Sequence, residues 1–564
     1  MPGTGRSPVQ PNDAAGNRLV GLSLRFWILV VLTGVGTGLG AGLLMRLLRL
    51  VQHAFYHYRA GDFLAAVEHV SPLQRVAVLL AAGAVTIGGN FLLSHTRGGS
   101  GGKLNERIWF HSGRLAEFKT IAQSALSMVI VGMGASIGRE TAPKQTGAAI
   151  ASLLSRHASL SSAECRLLAA CGAGAGMGAV YNVPLGGALF ALEVLLGTLA
   201  LPLIPPALAT SFIATATGWL LLPNQPTYAI TSYPMTLTQL VFSLGFGPLA
   251  GIASVLWVRM IVVADAIRPR GVFGLATPIV VFGLLGLLAI PFPQLLGNGK
   301  DVAQICFTGG LSLPLLAALV MLKPMVTAAC LGSGAPGGLF TPSVALGALF
   351  GALLGQLWSL LWPGAAPGSY AMIGAAAILA ASMQAPIAAI VLLLELTHHI
   401  QTLMVPILIA TAGAAVTARR LDPRSVYSGR VHTGRRAAAT KPPAVELSYA
   451  HLLKPEVETI SVAANYPEVL ERLAAQAARP RPLYVLDEEA RLAGRIEATC
   501  LDRPHALTQV LSSAAAGDLM ERVAPLDATM SETDALARLR AEPAGELPVI
   551  DPASGRLLGV AVRP

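Results

Sequence analysis

Two stretches about two hundred residues apart carry the same spelling, and each lies between long apolar runs. Gly134-Ala-Ser-Ile-Gly138-Arg-Glu140-Thr141-Ala-Pro143, followed by Gly147-Ala148, aligns with Gly334-Ala-Pro-Gly-Gly338-Leu-Phe340-Thr341-Pro342, followed by Gly347-Ala348, at an offset of 200. Further on, Asn182-Val-Pro184-Leu-Gly-Gly-Ala-Leu-Phe-Ala-Leu-Glu193 aligns with Gln384-Ala-Pro386-Ile-Ala-Ala-Ile-Val-Leu-Leu-Leu-Glu395 at an offset of 202. The duplicated unit covers about 75–200 and again about 275–400. Matching Gly/Pro breaks in two copies of a membrane unit point to a transport site where the halves meet, near the bilayer midplane.

The composition supports a membrane setting. Hydrophobic residues make up 53% of the 564 and charged ones 12%, with a mean hydropathy of +0.61, whereas soluble chains carry about 25% charged residues. The apolar blocks are Phe26–Leu50, Val76–Leu93, Leu237–Met260, Pro278–Ile290, Leu313–Cys330, Leu339–Trp362, Ala371–Leu396 and Leu403–Val416. Several reach the roughly 20 residues a bilayer span needs. Others are shorter and interrupted by Gly or Pro, which fits broken helices buried in protein. The expected fold is an all-α, multi-span membrane protein of two inverted-type repeats with broken helices, followed by a small α+β domain.

Met1–Asn17 is polar and Pro/Gly-rich and does not read as a signal peptide. The net charge is +10, with Arg18 and Arg25 before the first block and Arg419, Arg420, Arg424, Arg430, Arg435 and Arg436 after the last. Basic residues flanking spans stay cytoplasmic, so both termini are expected inside the cell (inner) membrane. These arginines flank spans instead of lining one soluble face, which argues against nucleic acid as a partner. Cys165, Cys171, Cys306, Cys330 and Cys500 are scattered without metal-ligand spacing and read as packing residues. No Ser/His/Asp set, zinc spacing or P-loop lies near the membrane carboxylates, which argues against an enzyme.

The chain divides into four parts: a polar tail (1–20), a membrane body (21–430), a linker (431–445) containing the Arg-, Ala- and Pro-rich Thr433–Pro443, and a soluble region (446–564). The last repeats internally. Leu483–Asp487 with Arg491–Ile496, and Leu547–Asp551 with Arg556–Val562, both read as β-hairpins. A helical stretch precedes each, Pro467–Gln476 behind Asn465 and Asp534–Arg540 behind Ser531, where Ser531 and Asp534 form an N-cap pair. The pair of units resembles tandem cystathionine-β-synthase-type (CBS) domains.

Four polar segments interrupt or succeed the apolar blocks: Gly98–Glu106, Gly138–Pro143, Gly337–Pro342 and Arg424–Ser428. In the first three, glycines precede a helical run and can expose backbone N–H groups at a helix N-terminus, an end carrying about half a positive charge. Amides and hydroxyls, such as those of Ser100 and Tyr427, can replace an anion's hydration shell and still release it.

Together these segments resemble the CLC family of chloride channels and chloride/proton exchangers. Gly99-Ser100-Gly101 matches the family's Gly-Ser-Gly-Ile-Pro loop, Gly138-Arg139-Glu140 its Gly-Arg/Lys-Glu-x-Pro loop, and Gly338-Leu339-Phe340-Thr341-Pro342 its Gly-x-Phe-x-Pro loop; Tyr427 falls at its late tyrosine. The resemblance implies an anion held by the Ser100 hydroxyl, the Leu339 and Phe340 amides and the Tyr427 hydroxyl. It implies Glu140 as the gate, a tethered anion that competes with chloride for the same donors. Proton and anion occupancy are then linked, because protonation removes the competing charge. A homodimer in the lipid bilayer with one pathway per subunit is implied as well, as is the absence of any cofactor.

The pattern has departures. Gly102-Lys103 stands where the family has Ile-Pro, and the proline after Glu140 comes one position late, at Pro143. The internal glutamate that relays protons in exchangers is replaced by Val194, after Glu193. A helix turns about 100° per residue, so Glu193 does not take over that direction. The expectation therefore leans to a passive, voltage-gated chloride channel, with chloride/proton antiport by another proton route as the alternative. Of lower weight are a fluoride transporter, because Ser100 is intact, and a membrane-anchored CBS sensor.

Plainer readings stand beside these. Glu193 and Glu395 end apolar helices at matching positions and suit structural hydrogen bonds to a broken-helix backbone. Glu140 differs, since its counterpart at the repeat offset is Phe340. Ser100 also suits a helix cap, and Tyr427 an interfacial belt. Lys103 and Arg139 can steer anions or snorkel. Adjacent residues do not share a helix face, so His398-His399 reads as interfacial instead of metal-binding. The CBS nucleotide signature fails in both copies: the first reads Gly494-Arg-Ile-Glu497-Ala-Thr-Cys500, and the second stops at Pro564. Assembly is thus expected of the tail, not nucleotide binding.

Overall fold

The computed structural model describes residues 22–429 apart from 59–60, 96–103, 111–112, 159, 270 and 399, and residues 449–563 apart from 455–456, 463, 475–481, 488, 498–515, 522, 543–544 and 553. The serine loop Gly99-Ser100-Gly101, with Lys103, His399, Arg430, Arg435, Arg436 and Cys500, lies outside them. Two compact units form, one mainly of Val31–Lys441 and one mainly of Pro442–Pro564.

The first unit is helical. Helices α1 (Leu24–Tyr56), α2 (Phe63–His69), α3 (Pro72–His95) and α4 (Leu104–Phe110) lead into α5 (Glu117–Gly132), α6 (Thr141–His157), α7 (Ser162–Tyr181), α8 (Pro184–Leu189) and α9 (Ile204–Gly218). A second run starts with α10 (Leu237–Ala266), α11 (Gly271–Leu288) and α12 (Lys300–Thr308). It continues through α13 (Leu313–Gly332), α14 (Phe340–Leu361), α15 (Pro367–Met383), α16 (Pro386–Thr397) and α17 (Met404–Leu421). Among the described residues, seven helices are long and apolar enough to cross a membrane.

The same packing order recurs in both runs: α5 on α6, α6 on α7 and α7 on α9 in the first, α13 on α14, α14 on α15 and α15 on α17 in the second. The equivalence runs to α9 and α17, past the ends of the duplicated sequence. Close approach is possible because glycines meet at equivalent crossings. A methyl group added at Gly147 would collide with the Gly172 carbonyl oxygen, and one at Gly347 with that of Gly374. Small residues at helix crossings substitute backbone packing for the hydrophobic drive that lipid does not supply.

The apolar block Ala371–Leu396 is not one helix. Gln384 takes a left-handed conformation (φ 57°) that stops α15, and Pro386 opens α16; Asn182 (φ 57°) and Pro184 do the same between α7 and α8. A proline cannot continue a helix but suits its first turn. Beyond these starts the copies diverge. α16 remains α-helical, while α8 widens into a π-helical turn, Phe190–Leu196. Cys165, Cys171, Cys306 and Cys330 are buried free thiols among these helices.

The second unit holds two similar α+β pieces. Strands β1 (Leu453–Lys454), β2 (Thr459–Ser461), β3 (Leu483–Leu486), β4 (Leu492–Ile496), β5 (Leu526–Asp527), β6 (Glu546–Ile550) and β7 (Leu557–Val562) form two sheets, ordered β2-β3-β4 and β1-β7-β6-β5. In each piece a strand runs through a helix (Tyr466–Ala474 or Glu532–Ala541) into a parallel strand, and an antiparallel hairpin completes it. The Ser531 cap forms as expected, with the Asp534 N–H donating to its hydroxyl at 3.3 Å. Each piece has its own apolar core, around Val469, Leu483 and Val485 in the first and Leu539, Leu547 and Val549 in the second. The two are joined where Arg495 of the first copy's signature forms an ion pair with Glu542 at 2.8 Å. The Tyr484 hydroxyl donates to Glu546 at 3.2 Å, and burial together with that carboxylate raises it above the usual phenol range.

Candidate functional site

The loops of the two repeats meet in one backbone pair. Gly134 and Gly334 (φ 99° and 96°) turn the chain out of α5 and α13. Four residues later, Gly138 N–H donates to Gly338 O at 2.9 Å and Gly338 N–H returns the bond to Gly138 O at 2.8 Å. Reciprocal antiparallel bonds of this kind are what a two-fold relation between the copies produces. The frame is reinforced from both sides. The Ser127 hydroxyl donates to Pro336 O at 2.7 Å, and Gly297 N–H to Gly134 O at 2.9 Å. The buried Lys323 ammonium fixes the turn carrying Gly297, donating to the Leu295 and Gly297 carbonyls at 2.9 and 3.0 Å.

Two helices start at this junction. Glu140 is the residue before α6, and Leu339 the residue before α14. The Glu140 side chain does not cap its own helix; it reaches the N-terminus of the other repeat's helix. Its Oε1 accepts the Phe340 N–H at 2.6 Å, and Oε2 faces the Thr341 hydroxyl at 3.3 Å and the Tyr181 hydroxyl at 3.4 Å. Tyr181 and Thr341 also bond each other at 2.7 Å. The carboxylate is fully buried. A short bond from a helix-terminal amide to a carboxylate is charge-assisted and lies where the helix dipole favours an anion.

Cavities open beside this gate. One, of about 230 Å³, is lined by Thr141, Lys144, Leu339 and Tyr427, with Asp265 and Arg268 further along. A smaller one, of about 50 Å³, is lined by Arg139, Lys300 and Asp301. The Arg139 guanidinium lies over the Tyr181 ring, 5.1 Å from its centre. Tyr427 packs edge-on against Phe190 with centroids 5.8 Å apart. Lys144, on the first turn of α6, reaches the Tyr427 hydroxyl at 3.5 Å and stands over the Phe190 and Tyr427 rings at 4.8 and 5.0 Å.

The paired glutamates have a structural task. The Glu193 carboxylate accepts the N–H groups of Ile387 and Ala388 at 3.2 and 2.5 Å, at the start of α16. The Glu395 carboxylate accepts those of Leu185 and Gly186 at 3.0 and 2.6 Å, at the start of α8. Each helix opens on proline, and its free N–H groups are satisfied by a carboxylate from the opposite copy. Val194, next to Glu193, is a buried apolar residue.

The structure thus brings Glu140, Gly138, Gly338 and the Phe340 amide together, and it places Leu339 and Tyr427 on one cavity. Arg139 falls on a separate cavity. Sequence reading missed Tyr181 and Lys144. The signal for Lys144 was in the repeat itself, since the residue at the matching offset is Val344.

Residues 92–419, more than half the chain, match the family model described as voltage gated chloride channel. A ClcB-like protein of Ralstonia nicotianae is 35% identical over 353 residues, covering 60% of this chain and 81% of that protein. The H(+)/Cl(-) exchange transporter ClcA of Vibrio vulnificus is 29% identical over 418 residues, 70% of this chain and 87% of the relative. Among solved structures, a slow cyanobacterial Cl-/H+ antiporter has the same fold, with a TM-score of 0.65 at 21% identity over 74% of this chain and all of the other. The chain belongs to the voltage gated chloride channel (CLC) family of membrane proteins, which transport chloride.

Proposed function

We propose that this protein exchanges chloride for protons across the membrane, with Glu140 as the gate. The observation that carries the reading is the Glu140 carboxylate seated on the Phe340 amide at 2.6 Å. A carboxylate there takes the place of a permeating anion, and protonation removes the charge that holds it. One group then responds to both ions. Leu339, Phe340 and Tyr427, with Ser100 outside the described residues, form the anion pathway, and Gly99, Gly101, Gly138, Arg139 and Gly338 supply its loop backbone.

Val194 led the sequence reading towards passive conduction. A relative named as an exchange transporter, similar over most of both chains, weighs the other way, as does the likeness in fold to an antiporter. Passive conduction is the second reading, favoured by the buried apolar side chain at Val194. The working form is a homodimer in the cell's inner membrane with both termini cytoplasmic. Its parts are the tail 1–20, the body 21–430, the linker 431–445 and the CBS-like pair 446–564, an assembly element and not a nucleotide sensor.

Purified protein in liposomes decides between the readings. An outward chloride gradient drives measurable uphill proton uptake if the protein is an exchanger. Chloride efflux without proton movement would establish the passive channel, and no chloride flux at all would sink both.

A further inference from the structure

Lys144 is 3% exposed, on the first turn of α6. Among the described residues its one polar partner is the Tyr427 hydroxyl at 3.5 Å, and it forms no ion pair. An ammonium has three donors, so two of them have no acceptor among the described residues. The Glu140 carboxylate, four residues earlier, is turned to Phe340, Thr341 and Tyr181. Asp265 lines the same cavity without pairing to Lys144. The second buried lysine of the body shows what a satisfied site looks like, since Lys323 meets the carbonyls of Gln294, Leu295, Leu296 and Gly297. A buried ammonium with no ion-pair partner is costly, and the Glu140 carboxylate acts on it only through space. The Phe190 and Tyr427 rings flank this one as a charged ammonium is flanked, face towards cation.

We infer that Lys144 is a direct ligand of the transported halide, which is its counterion in the cavity bounded by Thr141, Leu339 and Tyr427. The inference rests on the chloride reading above and adds a charged ammonium to the amide and hydroxyl donors of Leu339, Phe340 and Tyr427. A fixed charge retains the anion between turnovers and favours small, hard halides over bulky neutral solutes. The repeat supports a role outside the frame, because Val344 fills the equivalent place in the other copy without any charge.

Chloride titration of the purified full chain by calorimetry, in chloride-free detergent buffer, tests this with wild type, Lys144→Met and Lys144→Arg. Losing a charge-assisted contact weakens binding by about tenfold to a hundredfold in the Met variant, and the Arg variant recovers most of it. Met and wild type binding equally would overturn the role of Lys144 and leave chloride transport standing; a wild type that binds no chloride would overturn both. If the Met variant does not fold, bromide-soaked crystals of the wild type decide. A bromide scattering peak in contact with the Lys144 Nζ supports the assignment, and bromide bound only elsewhere refutes it.

Discussion

Glu140→Gln is the most informative single change, because it keeps the side chain's shape and removes its charge. In the structure the carboxylate holds the Phe340 amide at 2.6 Å, while the Thr341 and Tyr181 hydroxyls stand off at 3.3 and 3.4 Å. The short bond to a charged acceptor contributes roughly 1.5–3 kcal/mol. The two longer contacts contribute less, being near the limit for hydroxyl bonds. A glutamine oxygen keeps a neutral bond of roughly 0.5–1.5 kcal/mol. The difference, on the order of 1.4 kcal/mol, is a factor of about ten in the equilibrium between gate and anion. Chloride titration of the purified variant should therefore show roughly tenfold tighter binding than wild type. In liposomes the variant should carry chloride without proton uptake, and its rate should lose the acid dependence of the wild type. Unchanged chloride affinity, or proton uptake persisting in the variant, would refute the competition between carboxylate and halide.

Other perturbations address the frame. Glu193→Ala leaves the Ile387 and Ala388 N–H groups without their acceptor, at about 2–4 kcal/mol for the charged bonds lost; thermal unfolding in detergent should fall by several degrees, and Glu395→Ala should behave alike. Gly147→Ala forces a methyl group against the Gly172 carbonyl, so α6 and α7 must separate; overpacking of about 1–3 kcal/mol should appear as a poorly folded fraction on size exclusion. Asp422, just past the end of α17, is held well below the usual carboxylate range, chiefly by hydrogen bonds from Arg424 and also by Arg259. Its stabilisation is complete above the ordinary carboxylate pKa of about 3.9 and is lost only as pH falls through the lower folded value. The melting difference between wild type and Asp422→Asn should thus be constant at neutral pH and close only in strong acid.

Much of this architecture was legible because duplication writes the same physical demand twice. The left-handed stops at Asn182 and Gln384 and the proline starts at Pro184 and Pro386 are local chemistry, so the breaks could be placed from sequence. For Glu193 and Glu395 duplication puts a structural hydrogen bond beside a functional role; the bonds exist, although their exchange between halves needed three dimensions. Within the apolar block Ala371–Leu396 the proline is the one local mark of the turn that the structure places at Gln384. Tyr181 was invisible because its contact with Glu140 joins residues 41 apart in sequence through tertiary packing. Lys144 was passed over although it stands opposite Val344, by the same asymmetry that singled out Glu140 against Phe340.

The exchange of carboxylates between α8 and α16 binds the two copies into a single object. Neither copy supplies the acceptor for its own helix start, so each depends on the other for those bonds. Two separately expressed halves should accordingly be insoluble alone and rescue each other when produced together. A substitution that silences one carboxylate weakens the neighbour's architecture before its own.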